Sequence, residues 1–427
     1  MRNATGKTRF TRWLTVLSIA MLAGGILNPA PANAAKEITI VTPAWQPDSI
    51  KAFQDAIAEW NKRNPSTPVK MIPGDWDNLG DQLTTQFLAG NAPDIIHFDA
   101  ASSREYAMRG YLANLNTLME PLKKKIPSGA WKTASYQGKL FGVPFVDQTY
   151  VVFANVDAFK KAGVKLPDAK SGLTWDQFQA LSKKLTTSTQ YGLSYGLLRP
   201  ATSFMVMSSN FNATYFSNLT SSKAQLRVGS TELEVPNRIY NMFYVDKSID
   251  PISLTVTAGG SVAPFLAGKT AMLLGGSYIA ADLDLAKKEK GFNWTALPLL
   301  KGTSKLQAAN PQIFAVNQAS KVKTDAAKFI QFLMSDKHLV KLALGDALIP
   351  LTYSARQAAI TAKKGNSGWI QILSDGANFT VAPFASVPQY EQWRSTVLQA
   401  GLQEFMQNKI DRATLVKKLE DGWRAIQ

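Results

Sequence analysis

The segment between Glu37 and Phe98 alternates β-branched runs with amphipathic stretches, and this alternation restricts the possible folds more than any other feature of the sequence. The runs EITIVT, VKMI and DIIHF have the composition of short buried strands, and the stretches between them place apolar residues on one helical face. The predicted elements are strands at 37–42, 69–72 and 94–98 and helices at 49–61 and 78–88. Strands that alternate with helices form a mostly parallel sheet covered by helices, so we predict an α/β fold.

Acidic and aromatic residues follow each of these predicted strands. In open sheets of this type, ligands bind beyond the carboxyl ends of the strands. The candidates on this rule are Trp45 and Asp48 after the first strand, Asp75 and Trp76 after the second, and Asp99 after the third. Each tryptophan alone is better explained by a role in the core or in a surface patch. A carboxylate at a strand end either caps the next helix or faces a cleft. Together, rings beside carboxylates suit a solute rich in hydroxyl groups.

The first 34 residues have the pattern of an export signal. Four basic residues precede the apolar stretch WLTVLSIAMLAGGIL, and the small-residue pattern Ala32-Asn33-Ala34 follows it. We expect cleavage after Ala34. The alternative is an uncleaved membrane anchor, but the apolar stretch is shorter than the roughly 20 residues of a spanning helix. The chain contains no cysteine, so it has no thiol nucleophile and no lipid-attachment cysteine, which predicts a freely soluble protein of the periplasm.

The size and charge of the chain limit its class and its partners. Its 427 residues, 45% of them hydrophobic, are enough for about two domains. Lysine and arginine number 47 against 31 for aspartate and glutamate, and a surplus of this sign can serve nucleic acid, an anionic membrane or an acidic ligand. The basic residues are spread along the chain with only short runs, so we predict a solvated surface and no nucleic-acid partner.

The sequence offers few residues for catalysis. It has two histidines, of which we expect His97 to be packed inside a strand and His338 to be solvated on a helix. No HExxH metal motif is present, and we predict no metal and no cofactor. Glycoside hydrolysis stays open in principle because it needs only two carboxylates. The carboxylates that would supply them are Asp48, Asp75, Asp99 and Asp147.

Six blocks of the chain, in this order, resemble the extracellular solute-binding proteins of family 1, the sugar-type binding components of ABC importers that include the maltose-binding-like proteins. The blocks are EITIVTPAW, FLAGNAPDIIHFDA, YQGKLFGVPF, VVFANVDAFKKAGVKLP with LTWDQFQALSKKL, FLAGKTAMLLGGSY, and AAKFIQFLMSD. The resemblance implies a two-lobed periplasmic binding protein fold of type II, with discontinuous lobes joined by a hinge and a ligand cleft between them. The implied segments are 35–145 and 299–345 for the first lobe and 146–298 and 346–427 for the second.

The resemblance also assigns candidate ligand-binding residues, position by position. They are Trp45 and Asp48 in the first binding loop, Asp75 and Trp76 in the second, Asp99 at the cleft, Asp147 and Tyr150 at the hinge, Tyr278 where many members have tryptophan, and Asn310 in a loop where relatives have two glycines. Trp393 is a further candidate from the second lobe. Arg199 either donates to the ligand or is a surface guanidinium. Relatives often have leucine-proline-valine-arginine where this chain has Ile349 to Thr352, and the missing arginine disfavours an acidic ligand.

The sequence therefore predicts a monomeric periplasmic binding protein, not an enzyme. It would capture a neutral carbohydrate or related polyhydroxylated solute and deliver it to the membrane permease of an ABC importer. One alternative is the same fold with a charged solute, either a glycerol phosphodiester or a quaternary-ammonium osmolyte that aromatic rings would hold by cation–π contact. The other alternative is an exported glycosidase.

Overall fold

The computed structural model describes residues 36–427, except 170–171, 220–223, 383, 385–386 and 388. The predicted export signal and its cleavage site after Ala34 therefore lie outside the described residues. Within the described ranges, no helix combines the length and the apolar composition that crossing a bilayer requires.

Strands and helices alternate along much of the chain. The strands are β1 Ile38–Thr42, β2 Val69–Pro73, β3 Ile95–Asp99, β4 Ser135–Tyr136, β5 Lys139–Leu140, β6 Gly142–Asp147, β7 Tyr150–Asn155, β8 Leu173–Thr174, β9 Tyr191–Tyr195, β10 Phe216–Ser217, β11 Gln225–Leu226, β12 Thr270–Gly276, β13 Trp294–Ala296, β14 Leu300–Lys301, β15 Gln307–Ala309, β16 Gln312–Val316, β17 Ile349–Pro350 and β18 Phe379–Val381. The helices are α1 Pro47–Arg63, α2 Leu79–Leu88, α3 Ala100–Met108, α4 Ser128–Thr133, α5 Val156–Lys161, α6 Trp175–Leu185, α7 Ala201–Ser208, α8 Ser230–Tyr244, α9 Val262–Leu266, α10 Ala280–Lys290, α11 Lys323–Leu333, α12 Asp336–Gly345, α13 Tyr353–Ala362, α14 Ser367–Asp375, α15 Tyr390–Trp393, α16 Gln399–Met406 and α17 Arg412–Ile426.

The first sheet has six strands in the order β17-β6-β16-β3-β1-β2. Its three predicted strands, β1, β2 and β3, pair in parallel, as the alternation with helices implies. The later strands β16, β6 and β17 pair antiparallel, so the sheet is mixed rather than mostly parallel. Between β6 and β16 the chain passes through the second sheet, whereas α11 and α12 connect β16 directly to β17. The first lobe is this sheet with the helices packed on it.

The second sheet has four strands in the order β13-β7-β12-β9 and forms the second lobe with its helices. Alternate residues of β7 face opposite sides of this sheet, as the two-residue period of a strand requires. Val152 and Ala154 join a core with α6, α7, α8 and the C-terminal helices. Val151 and Phe153 join a second core, on the other face, with α10 and α14. The C-terminal helices therefore belong mainly to the second lobe.

The chain crosses between the two lobes at short connections. Gln148 and Thr149 alone separate β6 of the first sheet from β7 of the second. Asn310 and Pro311 separate β16 of the first sheet from β15, which pairs with β18 and packs on the second-lobe core. A third crossing follows β17, because α14 packs on β13. The sequence-based boundaries at 145 and 298 precede the first two crossings, and we propose the crossings as the boundaries between the lobes.

Candidate ligand-binding cleft

A cavity of about 750 Å³ lies between the two lobes. Six of the residues predicted for ligand binding line it: Trp45, Trp76, Asp99, Asp147, Tyr278 and Asn310. A larger groove of about 910 Å³ lies beside α8 and the connection from α16 to α17, but none of the predicted residues lines it. The cavity between the lobes is therefore the candidate site.

Trp45 and Tyr278 bring the two lobes into contact at the cavity. Their rings meet edge to face, with centroids 5.9 Å apart and planes at 76°. Asp346 holds the loop of Trp45, because its carboxylate accepts hydrogen bonds from the Gln46 backbone N–H at 3.2 Å and the Ser49 hydroxyl at 2.8 Å. A side chain at Gly276 would place its Cβ 2.2 Å from the Tyr278 ring, so the glycine before Ser277-Tyr278 makes room for that ring.

Trp76 supplies a second aromatic surface on the first lobe. Its ring stacks on Phe98 with centroids 5.6 Å apart and planes at 21°, and 37% of the residue is exposed. The carboxylates predicted beside these tryptophans are placed differently. Asp48 is exposed in the first turn of α1, and Asp75 accepts a hydrogen bond from the Asp77 backbone N–H. Neither carboxylate lines the cavity. Asp77, whose backbone N–H donates to Asp75 in the same turn, lines the cavity instead.

Asp99 fulfils both of the roles that its position at a strand end allows. Its side chain accepts a hydrogen bond from the Ser102 backbone N–H at 3.0 Å and so caps α3. The same residue lines the cavity. The Asn310 amide donates to the Asp99 carboxylate at 3.4 Å and accepts from the Ala101 backbone N–H at 3.2 Å. Asn310 therefore joins the second crossing between the lobes to the start of α3.

Asp147 is the most buried carboxylate of the cleft. It ends β6 at the first crossing, is 3% exposed and lines the cavity. One carboxylate oxygen accepts from the Gln148 backbone N–H at 2.8 Å, whereas Oδ2 has no hydrogen-bond partner among the described residues. Burial raises the pKa of Asp147 to about 8, although the backbone N–H groups of Gln148 and Asn310 act in the opposite direction. A buried carboxyl oxygen without a described partner therefore lies at the wall of the cavity.

Besides Asp48 and Asp75, three further predicted residues do not line the cavity. Tyr150 is 8% exposed in β7, where the Gln307 side chain pairs with its backbone at 2.8 Å. Trp393 lies in the core of the second lobe, fully buried, and its indole N–H donates to the Leu419 carbonyl at 3.1 Å. Arg199 donates to Asp77 at 3.1 Å in an exposed ion pair that links the two lobes. The placement of Trp393 corrects the expectation of a cleft residue, because its helical face turns toward α17.

Arg394, the residue after Trp393, lines the cavity, although the sequence analysis does not predict it as a ligand-binding residue. Its guanidinium pairs with Glu391 through two N–H groups and donates to the Thr202 hydroxyl at 2.6 Å. Arg394 opens a π-helical turn, Arg394–Leu398, between α15 and α16. Such turns insert one residue per turn and are frequent at functional sites. The sequence QYEQWRS carries no pattern that reveals this turn, so the only available signal was the adjacent tryptophan.

The residues that catalysis would need have structural contacts. His97 is fully buried as predicted, lies 2.7 Å from both the Thr42 hydroxyl and the Gln312 amide oxygen, and burial lowers its pKa to about 4. His338 is 6% exposed and packs against Phe332, so the expectation of a solvated side chain is wrong.

The stretch GLSYG has the spacing of a serine nucleophile elbow, but its Ser194 is buried in β9 and donates to the Ser261 carbonyl at 2.8 Å. Within the described ranges, no group of three or more potential ligands is arranged to hold a metal.

Comparison with known proteins adds relatives and a family. An uncharacterized lipoprotein in the oleD 5′ region of Streptomyces antibioticus is 32% identical over 404 residues, which cover 93% of this chain and 88% of that protein. The ABC substrate-binding protein Lmo0181 of Listeria monocytogenes, in complex with cycloalternan, has the same fold, with a TM-score of 0.75 and 22% identity over 90% of this chain and 97% of that one. The GacH receptor of Streptomyces glaucescens, described unliganded and with acarbose, matches with a TM-score of 0.78 and 16% identity over 91% and 97%.

These matches confirm the two-lobed α/β fold predicted from the sequence. The sequence pattern of the family described as bacterial extracellular solute-binding protein matches residues 44–338, which is more than half of the chain. The protein is therefore a member of the bacterial extracellular solute-binding proteins.

Proposed function

We propose that the protein binds a carbohydrate in the cleft between its lobes and delivers it to the permease of an ABC importer, without chemical conversion. The observation that carries this proposal is the different chemistry of the two walls of the cleft. The first lobe presents hydrogen-bond acceptors and indole rings, and the second lobe presents the donors of Arg394 and Tyr278, with both oxygens of its Glu391 already occupied by Arg394. A sugar hydroxyl both donates and accepts, so it is satisfied between two such walls.

The acceptor wall consists of the first-lobe residues Trp76, Asp77, Asp81, Asp99 and Asp147. The Trp76 indole, held flat by Phe98, offers a face to the C–H surface of a sugar ring. Asp147 accepts from a ligand hydroxyl through its free oxygen when ionised and donates to it when protonated, because a carboxyl group has both capacities. A solute that lacked the matching hydroxyl would leave this buried oxygen unpaired, which costs about 1–3 kcal/mol.

The donor wall centres on Arg394. A guanidinium has five N–H groups, and Glu391 and Thr202 engage three of the Arg394 groups. Two N–H groups remain without a partner among the described residues and are available to ligand oxygens. The Glu391 carboxylate holds the guanidinium in a two-point contact, so Arg394 is oriented before a ligand arrives. Tyr278 adds a phenol to the same wall.

The relatives support a carbohydrate ligand and an importer. The Listeria protein is described as an ABC substrate-binding protein in complex with cycloalternan, and the Streptomyces receptor binds acarbose. We place the protein outside the cytoplasmic membrane, as the family description implies. We further propose that it is a free monomer of the periplasm, since no cysteine is present to carry a lipid. The Streptomyces antibioticus relative is a lipoprotein, so subcellular fractionation of the expressing cells tests this location.

A thermal-shift screen of the purified protein against mono-, di- and trisaccharides, polyols, glycerol phosphates and betaine-like solutes tests the function. A ligand that binds only the folded protein adds about 2.7 kcal/mol of stability at a hundredfold excess over its dissociation constant. We expect stabilisation by saccharides and none by glycerol phosphates. Chromatography of the saccharide after incubation should recover it unchanged, and a hydrolysis product would instead identify a glycosidase.

The variant Arg394→Gln tests the donor wall, and the chain offers a matched control. Arg424 pairs with Asp421 at the same three-residue spacing as Arg394 with Glu391, but it lies on the exposed face of α17. We expect Arg394→Gln to abolish the saccharide-induced shift and Arg424→Gln to preserve it. Loss of the shift in both variants, or in neither, would contradict the assignment of Arg394.

A further inference from the structure

The cleft and the whole chain differ in the sign of their charge. The chain has 47 basic residues against 31 acidic residues. The cavity wall has the opposite balance, with six acidic residues and one basic residue, Arg394, among its described residues. The acidic residues are Asp77, Asp81, Asp99, Glu105, Asp147 and Glu391. A protein with a basic surplus has thus concentrated carboxylates in one place.

Half of these carboxylates have a cationic partner. Asp77 pairs with Arg199, Glu105 with Arg109, and Glu391 with Arg394. Asp81, Asp99 and Asp147 form no ion pair with any described residue. An anionic solute in this cavity would meet three acidic side chains that lack a basic partner, whereas a cationic solute would supply one.

Asp147 provides an observation that is independent of the acidic composition. It is a buried side chain, 3% exposed, on the wall of the cavity, and its Oδ2 has no partner among the described residues. An unpaired buried acceptor is costly, and the most favourable partner for a carboxylate in a site screened from water is a charged N–H donor. Burial raises the pKa of Asp147 to about 8, and a neighbouring ammonium group would favour the ionised form.

The aromatic residues of the cleft fit the same chemistry. Trp45 and Trp76 are 47% and 37% exposed, and Tyr278 meets Trp45 from the second lobe. Indole faces attract cations as well as sugar C–H groups. A pyranose ring that carries one ammonium group therefore finds both a stacking surface and an unpaired carboxylate in this cavity.

We propose that the cleft prefers a saccharide that carries a protonated primary amine, such as a hexosamine or a hexosamine oligosaccharide, with the ammonium group bound at Asp147. This inference rests on the proposed carbohydrate-binding function and narrows it to a ligand class. The remaining hydroxyls of the amino sugar occupy the acceptors on Asp99 and the free donors of Arg394.

Isothermal titration of the full-length protein with matched pairs of saccharides tests the preference. The pairs are glucose with glucosamine, galactose with galactosamine, mannose with mannosamine, and cellobiose with chitobiose. An ammonium group replaces one hydroxyl in each monosaccharide and one hydroxyl of each ring in the disaccharide. In a pair whose members bind, we expect the amino sugar to bind at least about tenfold more tightly than the neutral sugar, as one charge-assisted contact allows. Its N-acetyl derivative, which keeps the size and loses the charge, should lose this advantage.

Two variants locate the effect. Asp147→Asn keeps the shape of the side chain and removes its charge, so the preference for the amine should fall to about twofold or less. Asp375→Asn is the matched control, because Asp375 is also a buried aspartate, 5% exposed, with an unpartnered Oδ2, but it does not line the cleft. The control should keep the full preference.

The outcomes separate this inference from the function on which it rests. Equal or tighter binding of the neutral member of a pair overturns the preference for an amine and leaves the carbohydrate-binding function in place. A preference that survives in Asp147→Asn overturns the assignment of the ammonium site to Asp147. Binding of no member of any pair, and of no other saccharide in the thermal screen, overturns both proposals.

Discussion

The two walls of the cleft differ in how the chain builds them. The first-lobe wall comes from strand ends within a continuous segment, from Trp45 to Asp99, with Asp147 added at the first crossing. The second-lobe wall comes from positions that are far apart in the sequence, Thr202 in α7, Tyr278 after β12 and Arg394 at the π-helical turn. Residues at the ends of consecutive strands can therefore be predicted from their order in the sequence, whereas the residues of the second-lobe wall come together only through tertiary packing.

The largest effect is expected from breaking the centre of the second-lobe wall. Arg394→Ala leaves the Glu391 carboxylate without its partner, and the two side chains are only 24% and 18% exposed. Removal of one member of a buried ion pair typically costs about 3 kcal/mol or more, so we expect a comparable loss in the free energy of unfolding. Urea denaturation measures this loss.

A double variant separates the structural role of Arg394 from its role toward the ligand. Glu391→Gln together with Arg394→Met removes both charges and should restore much of the stability lost in Arg394→Ala, because no buried charge is left unpaired. Saccharide binding should remain absent. Recovery of binding in the double variant would show that Arg394 supports the fold only.

Trp76→Ala tests the first-lobe wall and should mainly affect affinity. The indole lies over Phe98 and is partly exposed, so its removal opens little of the core but deletes a stacking surface. Exposed aromatic anchors at binding sites contribute about 2 kcal/mol or more, which corresponds to at least about a thirtyfold loss in affinity. Titration calorimetry with a bound saccharide measures it. Tyr353→Ala, which removes a 53% exposed ring outside the cavity, should bind normally.

The comparison of the walls also explains which predictions succeeded. The strands at 37–42 and 94–98 could be read from the sequence because each is a run of mostly buried apolar residues, and the strand at 69–72, of which only Val69 is buried, could be read from its place in the alternation with helices. Trp45, Trp76 and Asp99 followed from the rule for strand ends. Asp48 and Asp75 were not distinguishable from them, since a turn of helix α1 and a capped loop, both local details, direct these carboxylates away from the cavity.

The second-lobe residues were harder to predict for a physical reason. The aromatic character of Trp393 suggested a stacking residue, but its ring packs with Phe216 and Trp423 inside the core. Along a helix, adjacent residues point in directions about 100° apart, so a core tryptophan places its neighbour near the surface. Which of these neighbours faces the other lobe is decided by the packing of α7 and α15, and that packing is not encoded in a local pattern.

Asp147 lies at the first crossing between the lobes, and the variant Asp147→Asn should change how the stability of the protein depends on pH. The pKa of Asp147 is about 8 in the folded protein because of burial, and higher than in the unfolded chain, so the folded state retains a proton that the unfolded state loses. The wild type therefore loses stability as pH rises from about 4 to about 8, relative to a variant that does not titrate there. The backbone N–H groups of Gln148 and Asn310 favour the charged form and reduce the size of the effect.

Urea denaturation of both proteins at pH 5, 7 and 9, without ligand, measures this difference. We expect Asp147→Asn to gain about 1–3 kcal/mol in the free energy of unfolding relative to the wild type between pH 5 and pH 9. Subtracting the two proteins removes the contributions of other titrating groups. A constant difference across this range would show that Asp147 is already ionised at pH 5 and that solvent or a structural change compensates its burial.

The smallest effect is expected at the edge of the cleft, where Arg199 of the second lobe meets Asp77 of the first. Both side chains are exposed, 64% and 81%, so the pair contributes about 0–1 kcal/mol and is screened by salt. Because the pair links the lobes, Arg199→Ala should weaken saccharide affinity by only a few-fold, and more at low than at high ionic strength. Stopped-flow dissociation at two salt concentrations measures it, with Arg63→Ala, an exposed pair within α1, as the control. Equal rates at low salt for Arg199→Ala and the wild type would show that this ion pair does not help to hold the lobes together around the ligand.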